Sequence, residues 1–67
     1  MLPRNWSLER IKEEVAWVYE NTVAKGVDPD FINSKGHKFY DGLTSEKSFR
    51  IRIEIKNENI INAHPKL

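Results

Sequence analysis

His37 and His64 are the only side chains in this 67-residue chain whose ordinary titration lies near neutrality. A histidine pair can cleave RNA, one ring taking the 2′-hydroxyl proton while the other protonates the leaving 5′-oxygen. Here one histidine lies in a glycine-flanked loop, Gly36-His37-Lys38, and the other near the chain end. Their spacing does not bring them to a common phosphate, and the plainer reading is two partly exposed structural histidines. Arg50, Arg52 and Lys56 form a second pattern, alternating with Ile51, Ile53 and Ile55. They are candidate phosphate contacts, each adding salt-dependent affinity for a polyanion. The competing reading is the charged face that any solvent-exposed sheet needs. Trp6 and Trp17 suit core and helix-staple positions better than a base-stacking platform, with Trp17 at the edge of its apolar stripe. Gly36-His37-Lys38 is a weak match to a phosphate-cradling loop, because one glycine without a following helix supplies few inward amides. With no cysteine and two histidines, a metal centre has almost no ligands to draw on, and no cofactor is expected.

The elements that must carry these residues can be read from periodicity. Ser7 is placed to cap a helix, with Trp6 and Ile11 in hydrophobic-staple positions. Leu8, Ile11, Val15 and Val18 recur at helical steps, widened by Ala16, Tyr19 and Val23. Arg10, Lys12, Glu13, Glu14 and Asn21 fall on the other side. The stripe predicts a helix from Leu8 to Lys25, ended by a left-handed Gly26 and by Pro29. Residues 27–37 read as loop, Phe39-Tyr40 as a short strand closed by a turn at Asp41-Gly42, and residues 44–47 as a further loop.

From Ser48 to Lys56 strict alternation predicts a strand with one apolar and one polar face. Asn57-Glu58-Asn59 is expected to form a three-residue hairpin loop, with a return strand from Ile60 to His64 stopped by Pro65. That register sets Ile55 opposite Ile61, Glu54 opposite Asn62, Ile53 opposite Ala63 and Arg52 opposite His64. Arg50, Arg52, Asn62 and His64 would then share the polar face. The expected architecture is a single α+β domain over residues 1–67, one N-terminal amphipathic helix on a small antiparallel sheet ending in a β-hairpin.

Composition narrows the function classes. Eleven basic and ten acidic residues leave a net charge of +1, which excludes a polyanion-binding tail by bulk charge alone. By segment, residues 1–26 carry four of each sign (net 0), 27–46 two basic and four acidic (−2), and 47–67 five basic and two acidic (+3). The hairpin is the basic end. The short apolar runs predict no membrane span, and the N-terminal pattern is not a signal peptide, so a cytoplasmic default is expected. Delivery by a dedicated toxin secretion system would leave no mark in such a sequence. A lone core of this size supplies roughly 3–5 kcal/mol, so an unusually economical domain, a homo-oligomer or a piece of something larger is expected.

Read in order, the landmarks resemble the C-terminal portion of a bacterial EndoU-type endoribonuclease domain, a nuclease of polymorphic toxins. That family pairs a proline-containing phrase with Trp-Ser and an amphipathic helix; here it reads Leu2-Pro3-Arg4-Asn5-Trp6-Ser7. A glycine-containing segment (Tyr40-Asp41-Gly42), an alternating strand (Phe49 to Ile55), a turn and a final strand follow. The closing His64-Pro65-Lys66-Leu67 is similar to the Tyr-Pro-Lys-Leu ending of nidoviral uridylate-specific endoribonucleases. The resemblance implies RNA as partner and cleavage, often after uridine, to a 2′,3′-cyclic phosphate. It also implies an upstream nuclease half, which supplies the catalytic histidine pair and lysine, or an immunity protein as partner.

By position, Asn62 stands where the family usually has Thr and His64 where it has Tyr, so these two are the expected substrate-binding residues. The resemblance implies no complete catalytic set here, and His37 lies on the wrong side of the helix to be the family's catalytic histidine. An EndoU-related, substrate-orienting segment, a fragment or remnant inactive alone, is therefore expected. The alternative is a small homodimeric module binding protein or nucleic acid through its basic hairpin. Gly36-His37-Lys38-Phe39 also loosely resembles the strand entry of small mRNA interferases, which carry a second long helix after their sheet.

Overall fold

Ser7 opens the only helix among the described residues: its hydroxyl accepts from the Arg10 amide at 3.1 Å, satisfying one orphan donor of the first turn. A computed structural model describes residues 5–66, so Leu2-Pro3-Arg4 of the proline-to-serine phrase and the closing Leu67 lie outside the described residues. The helix, α1, runs from Leu8 to Asn21 and stops short of the expected Lys25. At its end the Thr22 hydroxyl donates back to the Val18 carbonyl (2.7 Å) and the Asn21 amide to the Trp17 carbonyl (2.8 Å), so side chains compete for the last backbone acceptors. A turn follows through residues 22–26, and Gly26 takes the left-handed conformation (φ 75°) at its close rather than at the helix end itself.

Four antiparallel strands follow in sheet order β1-β2-β3-β4: β1 Phe31–Ile32, β2 Lys38–Leu43, β3 Arg50–Lys56 and β4 Asn59–Lys66. Two of these differ from expectation. Residues 31–32 pair with β2 instead of remaining loop. Asp41-Gly42 continues β2 instead of turning, because α1 crosses directly over it: a Cβ on Gly42 would lie 2.9 Å from Val18 Cγ1. The glycine serves close approach of helix and sheet.

The hairpin also turns more tightly than a three-residue loop. Asn57 (φ 50°) and Glu58 (φ 67°) are both left-handed, as a two-residue type I′ turn requires, and Lys56 pairs with Asn59. The residue saved is returned as a bulge: Ile55 lies opposite Ile60, not Ile61, and Ile61 is the unpaired extra residue. Beyond it the expected pairs Glu54–Asn62, Ile53–Ala63 and Arg52–His64 hold. β4 continues past the expected stop, with Pro65 opposite Ile51, a position open to proline because β4 is an edge strand.

The core is Val18 of α1 against Tyr40, Ile51, Ile53 and Ile55, with Val15, Tyr19, Val23, Phe49 and Ala63 packed around it. The period-2 alternation thus sends the isoleucines inward and Arg52, Glu54 and their partners to the opposite, helix-free face. Three helix residues depart from their expected side: Leu8 and Ala16, expected in the apolar stripe, are exposed, and Glu14 turns inward. Glu14 is buried, with its carboxylate accepting from the Ser45 amide (2.8 Å) and hydroxyl and from Arg10 Nε (3.0 Å). Burial alone pushes its pKa up, but the Ser45 and Arg10 hydrogen bonds outweigh it and hold the carboxyl below its usual range. Glu14 therefore ties the loop before β3 to the helix. Trp6 packs on Phe49 (ring centroids 5.5 Å apart) beneath the Arg10 guanidinium, rather than standing free as a stacking surface. Trp17, at the stripe edge, is exposed and does not take the expected core position.

Candidate functional site

The outer face of the sheet gathers nearly all the chemistry-bearing residues. Register places Phe31 and Phe39, then Asp41, Arg50, Arg52, Glu54 and Lys56, and finally Asn62, His64 and Lys66 on this face. Its centre is Asp41. Arg52 donates from Nε to Oδ1 (2.7 Å) and from a terminal nitrogen to Oδ2 (2.9 Å), a bidentate pairing, and Lys66 Nζ reaches Oδ2 at 2.7 Å. The Arg52 hydrogen bonds, set against burial and helped by Lys66, hold the Asp41 carboxyl at about 2. Arg52 is thereby committed: of the three candidate phosphate contacts, its guanidinium already carries a carboxylate. Arg50 and Lys56 form no salt bridge among the described residues, and both are exposed.

His37 is positioned by Asn33. The Asn33 side-chain oxygen accepts from the amides of Lys35 (3.0 Å) and His37 (2.9 Å), building residues 33–37 into a tight loop with Gly36 left-handed. Those amides are spent on Asn33, so the loop does not cradle phosphate. The ring then meets Glu54, with Nδ1 2.7 Å from Oε2. A carboxylate only accepts, so Nδ1 carries the proton and Nε2 is the remaining ring nitrogen. Such a pair orients an imidazole for proton transfer.

His64 is held differently: its Nδ1 lies 3.1 Å from the Pro65 carbonyl oxygen, and the residue is exposed. Asn62, two residues earlier, is exposed opposite Glu54, with its side-chain oxygen accepting from the Ala63 amide (3.0 Å). Asn62, His64 and Arg52 therefore do share one face, as alternation predicts. The two histidines share it as well but not a site. With strands about 4.8 Å apart and about 3.3 Å per residue, two strands and four positions separate their backbones by about 16 Å. No hydrogen bond joins their rings, and each keeps its own partner.

Two site features escape sequence reasoning. Phe31 and Phe39 are register partners whose rings stack at 4.3 Å and 5°. The Arg52 guanidinium carbon stands 5.0 Å from the Phe31 ring centre. The only available signal was two phenylalanines flanking a glycine-containing loop, which is too common to act on. The second feature is Asp41 as hub, hidden because Asp-Gly reads as a turn.

A cleft of about 480 Å³ lies on the helix side between the 22–29 turn and the end of β3, away from this face. Its lining combines the apolar Val23, Pro29 and Ile55 with Tyr40 and the charged Asp28, Lys38 and Glu58. No group of three metal-ligating side chains occurs among the described residues, and no described helix is long and apolar enough to cross a membrane. Comparison with protein-family models, curated proteins and solved structures returned no match.

Proposed function

We propose that the outer sheet face contacts RNA and that the chain is the substrate-orienting segment of an EndoU-type endoribonuclease. One observation carries this reading. Asn62 and His64, the positions the resemblance assigns to substrate, stand exposed side by side on the helix-free face, flanked by Arg52. Asn62 offers an amide to a base or phosphate and His64 a ring to stack on a base or ribose. Arg50 and Lys56 supply cations on the same face. This sequence does not include the segment to which the resemblance assigns the catalytic histidine pair and lysine, and His37, tied to Glu54, does not replace it. The chain therefore orients RNA without cleaving it.

The test has two parts. Incubated alone with uridine-containing RNA, the chain yields no cleavage above background, and turnover abolished by His64→Ala would sink the proposal. In fluorescence anisotropy it binds single-stranded RNA with affinity that falls between about 50 and 200 mM salt, as phosphate contacts demand. Asn62→Ala and His64→Ala each weaken that binding.

A second reading, a homodimer, is favoured by the free edge of β4. That edge is eight residues long, and Ile60 and Ile61 beside it are 37% and 47% exposed. An edge strand with exposed apolar side chains is a template for antiparallel pairing with a second copy. Light scattering that finds a monodisperse monomer would remove this reading.

A further inference from the structure

We infer that the cleft on the helix side of the sheet binds a small apolar α-amino acid in its zwitterionic form. The cleft lies behind the sheet from Asn62 and His64, so this site is independent of the RNA reading. It arises where the helix stops. α1 ends at Asn21, and the inner positions Lys38, Tyr40 and Ile55 form a floor between the 22–29 turn and the hairpin tip at Asn57 and Glu58. Its volume, about 480 Å³, lies within the range of small-molecule sites, about 300–1,000 Å³. One buried polar group reaches it. Tyr40 is 5% exposed, and its hydroxyl has no hydrogen-bond partner among the described residues. No fully buried side-chain polar atom among those residues is left unpaired, so the hydroxyl is where this ring meets the cleft.

The lining selects the ligand. Val23, Val27, Pro29 and Ile55 supply apolar surface, and Val27 is 49% exposed with nothing laid over it. Lys38, Asp28 and Glu58 complete the lining, all three exposed, and among the described residues Lys38 forms a salt bridge with neither acid. Opposite charges held apart around one apolar cleft match a ligand that carries both. Lys38 and Tyr40 are alternate residues of β2, roughly 7 Å apart on one face, so ammonium and hydroxyl meet a single ligand carboxylate. The ligand's own ammonium then turns to Asp28 or Glu58, and its side chain rests on Val23 and Ile55. A nucleotide is disfavoured, because two acids against one lysine give the lining a net charge of −1. A wholly apolar ligand would strip water from Tyr40 and Lys38 without replacing it.

Nuclear magnetic resonance titration of the whole chain with L-leucine tests the site. Amide shifts saturate and concentrate at residues 23–29, 38–40 and 55–58. Leucinamide lacks the carboxylate and N-acetyl-leucine lacks the ammonium. Each binds about 10-fold to 150-fold more weakly, the range for losing a hydrogen bond to a charged group. Tyr40→Phe keeps the buried ring, drops only the hydroxyl, and weakens leucine by about threefold or more. Lys38→Met brings leucine and leucinamide to the same affinity, a readout that a general loss of stability would not produce. Uridine monophosphate leaves the cleft amides unmoved. The assignment is overturned if wild type shows no saturable shifts with leucine, or if leucinamide binds as tightly as leucine. Shifts confined to residues 62–66 of the outer face would overturn it equally, while the RNA-binding assay remains a separate measurement.

Discussion

Replacing Asp41 with asparagine isolates the electrostatic centre of the sheet. The carboxyl is held at about 2 against an ordinary 3.8, chiefly by Arg52, whose two hydrogen bonds outweigh the cost of burial, with Lys66 adding a third. At 1.36 kcal/mol per tenfold change in proton affinity, that difference corresponds to about 2.5 kcal/mol of folding free energy. Lys66 is nearly half exposed and its part is screened by solvent, so Asp41→Asn is expected to cost about 2 kcal/mol near neutral pH. A domain of this size moves roughly 4–8 °C per kcal/mol, so Tm falls by about 8–16 °C.

The pH dependence carries the sharper test. Because the folded-state value lies below the unfolded one, this stability is complete above about pH 4 and is lost as pH falls through about 2. Urea unfolding followed by circular dichroism at a series of pH values reads the difference directly. Wild type and Asp41→Asn should differ by about 2 kcal/mol at pH 6 and converge below pH 2. A gap of equal size at both ends would mean that the asparagine acts through packing, and the ion-pair reasoning would be refuted.

Three further outcomes follow from the packing and turns. Gly42→Ala pushes a methyl to 2.9 Å from Val18 Cγ1 and 3.3 Å from Thr22 Cγ2, and should destabilise by about 1–3 kcal/mol in urea melts. Glu14→Ala leaves the Ser45 amide and hydroxyl without their shared acceptor and should cost about 2–3 kcal/mol. Hydrogen exchange should show the Ser45 amide losing protection in the same variant. Glu58→Gly relieves a left-handed non-glycine residue in the hairpin turn while keeping the carbonyl that accepts from the Tyr19 hydroxyl, and should raise stability by about 0.5–1 kcal/mol. Thermal unfolding checks it.

Asn62 and His64 are proposed for substrate on the resemblance alone; the strand pairing shows only that both face outward, as Lys66 does. Alternation along β3 and β4 places Asn62 and His64 outward whatever the family, and the hairpin register brings Arg52 beside them. What alternation does not reveal is availability. Arg52 reads as a phosphate ligand in sequence, yet its guanidinium is spent on Asp41 and lies against Phe31. The cation load on the outer face therefore rests on Arg50 and Lys56 more than on the residue at its centre.

Local patterns decided what needs only neighbours in the chain. The Ser7 cap, the apolar stripe of α1 and the alternation of β3 each follow from side-chain periodicity acting on one element. The Glu54–Asn62, Ile53–Ala63 and Arg52–His64 pairs follow because a slip of one residue would bury charge. The hairpin turn was placed to within one residue, and the bulge at Ile61 absorbed the error. The Asp41–Arg52–Lys66 hub, the burial of Glu14 on Ser45 and the Phe31–Phe39 stack were decided only by tertiary structure. They join residues 11, 25, 31 and 8 positions apart across strands and loops whose pairing has no periodic signature. β1 is two residues long and β2 is interrupted by a glycine that looks like a turn until a helix is laid across it. The charges that could meet RNA were visible in the sequence; which of them are already engaged, and which aromatic surface stands beside them, depends on how the strands pair.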